Sequence, residues 1–216
     1  MNKKFALSYS GGKDCALALY RMIAAGYKPA ALITTFHQDK NRTWFHGISR
    51  ELLERAAKSM GIPLRYVLCG PGENYNRIFE NILLELKEEG VGLIVFGDID
   101  LQAHRDWCEE RCAAAGLSAL LPLWKEEREA VVREFLEAGF SAIIKTVRLQ
   151  SLGSEFLGVT LSLPVLAQIK EAGADVCGEN GEYHTFVYDG PIFQSRIRFT
   201  QHGIERTPAY AFLNME

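Results

Sequence analysis

The chain has 216 residues, and its 24 lysine and arginine residues against 27 aspartate and glutamate residues give a formal net charge of −3. Hydrophobic residues at 48% and charged residues at 24% are ordinary for a globular protein and argue against long disordered segments. The apolar runs fall far short of the roughly 18 residues that cross a membrane, no apolar export segment follows Lys3 and Lys4, and the mild acidity argues against a general nucleic-acid binder. We therefore expect a cytoplasmic enzyme or a small-molecule binder.

Short apolar runs alternate with amphipathic stretches of helical length through the first part of the chain. Their spacing and the glycines that close them predict strand 5–10, helix 14–25, strand 30–36, helix 49–60, strand 64–69, helix 74–89, strand 93–96, helix 103–115 and strand 119–123. Alternating strands and helices with short connections indicate right-handed crossovers and a parallel sheet. We predict a doubly wound, Rossmann-like α/β domain over residues 1–123.

The pattern changes after Trp124. It predicts helix 126–138, strand 141–147, helix 161–172 and three short strands at 183–188, 195–200 and 209–213, with turns at 189–191 and 202–203. Strands that follow one another without helices indicate a smaller α+β domain, predicted over residues 124–216. No low-complexity linker separates the two parts, so we expect them to pack closely.

Five cysteines are scattered along the chain without a C-x-x-C pair, which is typical of reduced thiols. His104, Cys108 and Cys112 would share one face of a helix and could hold zinc or an iron–sulfur cluster with a fourth ligand such as Cys69. Buried thiols beside a polar histidine are the simpler interpretation. The tryptophans at positions 44, 107 and 124 are expected to pack in the core.

A glycine string follows the first predicted strand and opens the first helix; its residues are Ser10, Gly11, Gly12, Lys13, Asp14 and Cys15. Glycine lets the backbone approach a ligand closely, and a helix N-terminus offers unpaired N–H groups and partial positive charge. A tight turn with Asp14 near the helix start is the alternative, but the combination favours a phosphate site. It matches neither a Walker A loop nor G-x-G-x-x-G.

Gly97 and Asp98 follow the fourth predicted strand. Ligands of open parallel sheets bind beyond the carboxyl ends of the strands, where the strand order reverses, so these residues should face the same crevice as the glycine string. Asp98 could hold Mg²⁺ or a ribose there. The alternative is a loop carboxylate that caps the next helix.

The most unusual stretch of the tail runs from Cys177 to Thr185 and contains Glu179, Glu182, Tyr183 and His184. In an extended segment, Glu182 and His184 share one face and Tyr183 takes the other. Such a group could bind an amine or ammonia, or act as its general base. A polar hairpin entry with solvated charges is the alternative. We call residues 177–185 the tail string.

The glycine string and the tail string both resemble motifs of known protein families. Ser10–Cys15 resembles the PP-loop (Ser-Gly-Gly-x-Asp-Ser) of the ATP pyrophosphatase superfamily, with Cys15 as a weaker hydrogen-bond donor in the last position. Paired with residues 177–191, it resembles the diphthine–ammonia ligase family, whose tail carries Gly-Glu-Gly-Gly-Glu-Tyr-Glu-Thr. The resemblance spans nearly the whole chain and includes His46-Gly47, Gly97-Asp98 and Pro122-Leu123-Trp124.

The resemblance implies a HUP-type sheet and a ligase that joins ammonia to a carboxylate while ATP is cleaved to AMP and pyrophosphate. The carboxylate would belong to diphthine of elongation factor 2 or to a related acceptor. ATP would bind at Ser10–Cys15, Gly97 and Asp98, with Lys13 and an Mg²⁺ ion on Asp98 stabilising the leaving pyrophosphate.

The tail string would line the acceptor or ammonia site, through Glu179, Glu182 and Tyr183. Two departures from the family pattern fall there: Asn180 and His184 replace Gly and Glu, and residues 101–105 differ from the Ser-x-Tyr-Gln-Arg of diphthamide-making members. The resemblance therefore bears on the ATP chemistry more than on the identity of the acceptor.

Two other interpretations stay open. A tRNA-modifying PP-loop enzyme would also adenylate its acceptor, although it would need a basic face that this composition does not indicate. A non-catalytic ATP-binding regulator could use the same sheet. A homodimer is the base-rate expectation for the oligomeric state.

Overall fold

The structure is a computed structural model that describes residues 3–37, 39, 41–44, 46–70 and 72–216. The first sheet and its connecting helices are, in chain order, β1 (Lys4–Ser8), α1 (Lys13–Ala24), β2 (Lys28–His37), α2 (Arg50–Met60), β3 (Leu64–Cys69), α3 (Tyr75–Glu88), β4 (Leu93–Val95), α4 (Gln102–Ala114) and β5 (Ser118–Leu120). All five strands are parallel, in the order β3-β2-β1-β4-β5. The strand order therefore reverses between β1 and β4.

Both faces of this sheet are covered, as its apolar strands predict. Phe5 and Leu7 of β1 belong to one core with α1 and α2, whereas Ala6 between them belongs to a second core with α3 and α4. This alternation follows from the period of two along a strand. The doubly wound α/β prediction is confirmed. None of the helices in the described ranges is long and apolar enough to span a membrane.

A second, antiparallel sheet occupies the tail. Its strands and helices are α5 (Arg128–Glu137), β6 (Ser141–Arg148), α6 (Leu163–Glu171), β7 (Tyr183–Asp189), β8 (Gln201–Arg206) and β9 (Tyr210–Met215), and a short 3₁₀ turn covers Ser154–Phe156. The strand order is β7-β6-β9-β8. The predicted smaller α+β part is confirmed, and its exact division at residues 123 and 124 stays a prediction.

The predicted strand over 195–200 is wrong. The third tail strand is β8, and it contains the predicted turn at 202–203. The segment before β8 divides its hydrogen bonds. Ser59 Oγ of α2 donates to the carbonyl of Ser195 at 2.6 Å and accepts from its amide at 3.1 Å, while the amide of Ile197 donates to the carbonyl of Tyr188 at 2.8 Å. The alternation of side chains in this segment therefore reflects packing between α2 and the tail sheet.

The two sheets share one hydrophobic core, as expected from the absence of a linker. Leu17 of α1, Val132 of α5 and Phe186 of β7 belong to the same buried cluster. At the edge of this contact, Arg21 of α1 pairs with Glu126 at 2.5 Å and also with a second glutamate on α5. This packing brings β7 against the start of α1.

Candidate active site

A cavity of about 670 Å³ lies at the carboxyl ends of the strands, where the strand order reverses. Three separate stretches contribute to its wall: the glycine string after β1, the turn after β4 and the tail string. The predicted site residues that line it are Ser10, Lys13, Asp14, Cys15, Gly97, Asp98, Glu179 and Tyr183. Three other predicted site residues, Gly11, Gly12 and Glu182, are not among the residues that line it.

The glycine string is bonded directly to β7. The amide of Lys13 donates to Thr185 Oγ1 at 3.0 Å, and the amide of Val187 donates to the carbonyl of Gly11 at 2.9 Å. Within the string, the amide of Gly12 donates to Ser10 Oγ at 3.3 Å. Strand β7 therefore holds the N-terminus of α1 in place.

Lys13 is buried at the start of α1. Its Nζ bonds to both carboxylate oxygens of Asp14, at 2.8 and 2.9 Å, and lies 5.6 Å from the centre of the Tyr183 ring. Burial acts against the charged form, but the interactions with Asp14, Cys177 and Tyr183 together outweigh it, and the pKa of Lys13 is raised well above its usual value. The cavity therefore has a permanent positive charge beside the glycine string.

Gly97 allows β4 to end directly against the glycine string. A side-chain carbon at this position would lie 2.8 Å from the backbone nitrogen of Cys15 and 2.9 Å from the carbonyl carbon of Asp14. The thiol of Cys15 donates to the carbonyl of Gly12 at 3.1 Å, and burial raises its pKa. Cys15 therefore serves as a protonated, weak donor inside the turn.

Asp98 lines the cavity and contacts the first turns of α4. Its carboxylate lies 3.0 Å from His104 Nδ1, a contact that raises the pKa of the histidine. Burial raises the pKa of the Cys108 thiol, and it raises that of the Cys112 thiol to about 12. Cys69 bonds to carbonyls of its own loop. Among the residues that the structure describes, no three His, Cys, Asp or Glu side chains form a metal site.

Glu179 has the chemistry of a proton acceptor near neutral pH. Burial and, secondarily, the Asp14 carboxylate raise its pKa from 4.5 to about 7. Its Oε1 accepts a hydrogen bond from the amide of Ile99 at 3.3 Å. A carboxyl group with this pKa can take and release a proton under physiological conditions.

Arg128 joins the turn after β4 to the tail string. It forms two hydrogen bonds of 2.7 Å to Asp100 and one of 2.6 Å to Asp175. Asp175 in turn accepts hydrogen bonds from the amides of Cys177 and Glu179, at 3.0 and 3.1 Å. Sequence reasoning missed this arginine, because its partners lie 28 and 47 positions away and no local pattern connects them.

Glu182 and Tyr183 are held by hydrogen bonds to neighbouring residues of the tail. Glu182 is 6% exposed; its Oε1 accepts from Asn180 Nδ2 at 3.2 Å, and its Oε2 has no hydrogen-bond partner in the described ranges. The hydroxyl of Tyr183 donates to the carbonyl of Val176 at 2.6 Å, and burial raises its pKa. Tyr183 therefore presents its ring, and not its hydroxyl, to Lys13.

Three neighbouring aromatic side chains line part of the cavity and form an aromatic wall. Tyr75 lies between Trp44 and Trp107, with ring centroids 5.4 and 5.6 Å away, and all three residues line the cavity. Trp107 packs against the second core, in agreement with the expectation, and Trp44 and Trp107 also line the cavity. Their positions in the chain carry no signal of this, because the wall forms only when three separate segments meet.

Comparison with known proteins places this geometry in a family. Models of the diphthamide synthase N-terminal and C-terminal domains match residues 3–119 and 127–216. The diphthine–ammonia ligases of Rattus norvegicus and Homo sapiens are each 28% identical to the chain, over 222 and 221 residues, covering 90% of this chain and 82% of theirs. The diphthine–ammonia ligase of Schizosaccharomyces pombe is 26% identical over 212 residues, which is 88% of this chain and 35% of that protein.

Among solved structures, one from Methanocaldococcus jannaschii, described as a predicted subunit of a tRNA methyltransferase, aligns with a TM-score of 0.47 and 18% identity. The alignment covers 90% of this chain and 99% of the other. The family models, which together cover nearly every residue, agree with the resemblance of the glycine and tail strings. The chain therefore belongs to the diphthamide synthase family, a family of ATP-dependent ligases.

Proposed function

We propose that this enzyme joins ammonia to a substrate carboxylate while ATP is cleaved to AMP and pyrophosphate. The observation that carries the proposal is that the glycine string and the tail string border one cavity and are bonded through Lys13 and Thr185. Diphthine of elongation factor 2 is the first acceptor to test, since relatives are named diphthine–ammonia ligases. A related carboxylate is the alternative acceptor.

The nucleotide binds along the glycine string and the aromatic wall. The helix N-terminus and Lys13 attract the phosphates, while Trp44 and Tyr75 offer flat faces on which the adenine can stack. Proteins usually hold Mg²⁺ with one or two carboxylates together with substrate phosphates. Asp98 fits this role, because its partly exposed carboxylate lines the cavity. A bound Mg²⁺ ion would neutralise charge on the phosphate oxygens.

The reaction proceeds in two steps. The substrate carboxylate attacks the α-phosphorus, the bond to pyrophosphate breaks, and an acyl-adenylate forms. Ammonia then attacks the acyl carbon, the bond to AMP breaks, and the nitrogen releases a proton to the carboxylate of Glu179. Lys13 remains charged and stabilises the leaving groups of both steps, whose negative charge develops beside it.

The tail string provides the second half of the site. Glu179 faces the cavity, and the Arg128–Asp175 contact fixes the loop that carries it. The ring of Tyr183 packs against Lys13, and Glu182 holds Asn180 from behind. These contacts fix the positions of Glu179, the proton acceptor, and of Lys13, the cation. Acyl transfer in two steps depends on such fixed positions.

Product analysis tests the proposal. The purified enzyme is incubated with Mg²⁺, ATP and ammonium chloride, with and without elongation factor 2 that carries diphthine, and AMP, ADP and pyrophosphate are quantified. We expect AMP and pyrophosphate in equal amounts, dependent on the acceptor and lost in Lys13→Ala. AMP formed equally without the acceptor would support the cleavage and exclude this acceptor. ADP as the product would overturn the proposal.

A further inference from the structure

Two histidines face each other in the cavity beside the glycine string. His46 and His184 both line the cavity, and the centroids of their rings lie 4.7 Å apart. His46 lies so close to the glycine string that a side-chain carbon at Gly12 would overlap its ring. His184 belongs to β7, so the pair exists only because the tail sheet packs against the start of α1.

A hydrogen bond determines which nitrogen of His46 carries the proton. His46 Nδ1 lies 2.8 Å from the carbonyl oxygen of Thr185. A carbonyl only accepts hydrogen bonds, so Nδ1 is the protonated nitrogen, and in the neutral ring Nε2 is left as an acceptor. The hydroxyl of Thr146 donates to the carbonyl of His46 at 3.2 Å and holds its backbone.

The surroundings keep both imidazoles neutral. Burial lowers the pKa of His46 to about 4 and lowers that of His184 well below its usual value. Lys13 acts in the same direction on both rings, and Lys145 acts on His46, whereas Asp14 acts in the opposite direction on His46. The cavity therefore contains a pair of uncharged imidazoles, one of them from the tail string, near the Lys13 cation.

We propose that His46 and His184 bind the nitrogen substrate as neutral ammonia, an inference that rests on the proposed function. Ammonia donates an N–H to Nε2 of His46, and its lone pair stays free to attack the acyl carbon. An ammonium ion has no lone pair with which to attack, and the positive charge of Lys13, which acts on both rings, disfavours a second cation beside them. The neutral pair near Lys13 therefore favours the reactive form of the substrate.

A titration that needs no acceptor tests the binding. The full-length protein, labelled with ¹⁵N in its imidazoles, is titrated with ammonium chloride at pH 7 and pH 8 while NMR follows the ring nitrogens, and potassium chloride serves as the ionic control. Below its pKa, the neutral fraction of an amine rises about tenfold per pH unit. We expect a saturable shift of His46 Nε2 whose midpoint in total ammonium is about tenfold lower at pH 8. A midpoint independent of pH, an equal effect of potassium or no saturable shift would overturn the proposal.

Two substitutions of His46 separate binding from a structural role. Asparagine keeps a donor near the position of Nδ1 and removes the acceptor at Nε2, whereas glutamine keeps a polar group near Nε2 and removes the donor to Thr185. Loss of one hydrogen bond to substrate corresponds to about a tenfold change in affinity. We expect His46→Asn to raise the KM for ammonia at least about tenfold with an unchanged KM for ATP, and His46→Gln to raise it less. If His46 had only a structural role, His46→Gln would raise the KM for ammonia more than His46→Asn.

Failure of this inference and failure of the proposed function have different signatures. The NMR titration contains neither ATP nor acceptor, so a negative result there overturns ammonia binding even if AMP and pyrophosphate form. Formation of ADP in the product analysis overturns the proposed function and leaves the titration interpretable.

Discussion

The backbone amide of Lys13 donates a 3.0 Å hydrogen bond to Thr185 Oγ1, a residue 172 positions further along the chain. The same contact region includes the 2.9 Å bond from the amide of Val187 to the carbonyl of Gly11. The N-terminal glycine string therefore owes part of its shape to a strand of the other sheet. Changes in β7 should consequently be measurable as changes at the nucleotide site.

Thr185→Val should weaken both the fold and nucleotide binding. Valine keeps the shape of threonine but leaves the buried amide of Lys13 without an acceptor, which costs about 1–3 kcal/mol. We expect a matching loss in the free energy of unfolding, measured with denaturant, and weaker ATP binding by calorimetry. Thr207→Val is the control, because it removes hydrogen bonds to Tyr210 in an exposed hairpin. Equal ATP affinity in both variants would contradict the coupling.

Gly97→Ala should displace the glycine string. The new methyl group would lie 2.8 Å from the backbone nitrogen of Cys15, and backbone atoms cannot move aside as a flexible side chain can. We expect a loss of about 1–3 kcal/mol in stability and a clear loss of ATP affinity. The matched control is Gly92→Ala, just before β4, where no atom lies within 4 Å of the new carbon. ATP binding that is unaffected in both variants would refute the close-approach argument.

Glu179→Gln should make the folded protein more stable above pH 7. The pKa of Glu179 is about 7 in the folded protein and 4.5 in its unperturbed form. Between these values the folded protein retains a proton that the unfolded chain has released, so this group lowers stability as pH rises. Glutamine has no such proton. Denaturant unfolding at pH 8 and pH 4 should show a gain at pH 8 that disappears at pH 4, while exposed Glu137→Gln changes little at either.

The same substitution should slow the reaction. A general base acts only when it is deprotonated, so with unprotonated ammonia held at a saturating concentration at every pH, the wild-type rate of amide formation should fall as pH decreases through about 7. Glu179→Gln should lower the rate by about 10²–10⁴-fold and remove that limb of the pH profile. A variant that retains the wild-type rate and the wild-type pH dependence would show that another group accepts the proton.

Trp44→Leu should weaken ATP binding without preventing folding. Stacking of a base on an aromatic side chain contributes about 1–3 kcal/mol, and Trp44 lines the cavity beside Tyr75. Trp44→Phe keeps a ring and should lose less. Trp124→Leu is the control, since Trp124 packs against Arg105 outside the cavity. Calorimetric titration measures the affinity of all three variants for ATP. Equal affinities of Trp44→Leu and the wild type would exclude the stacking role.

Local signals in the sequence account for most of the first sheet. Ser49 and Asn74 cap α2 and α3 through their side chains, which is why both helix starts could be predicted to within one residue. The tail was less predictable, because the segment before β8 alternates like a strand while its hydrogen bonds are divided among Ser59 on α2, Tyr188 on β7 and Glu216. Alternation reports burial on two sides and does not identify the hydrogen-bond partner.

The candidate site was predictable where its residues form a compact string. Lys13 and Glu179 could be connected only through the pairing of two strings that resemble one family. His46 is part of the resemblance, but no role could be predicted for it, since the carbonyl that orients it lies 139 positions away and its partner ring comes from β7. Contacts of this kind depend on how the two sheets pack, which no local pattern encodes.

Isotope exchange between pyrophosphate and ATP tests the central claim, activation of the acceptor as an acyl-adenylate, most directly. The enzyme is incubated with Mg²⁺, ATP, radiolabelled pyrophosphate and diphthine-bearing elongation factor 2, without ammonia. We expect label to appear in ATP only when the acceptor is present, and not with Lys13→Ala. Amide formation on addition of ammonia, in a preparation that shows no exchange without it, would contradict the adenylate.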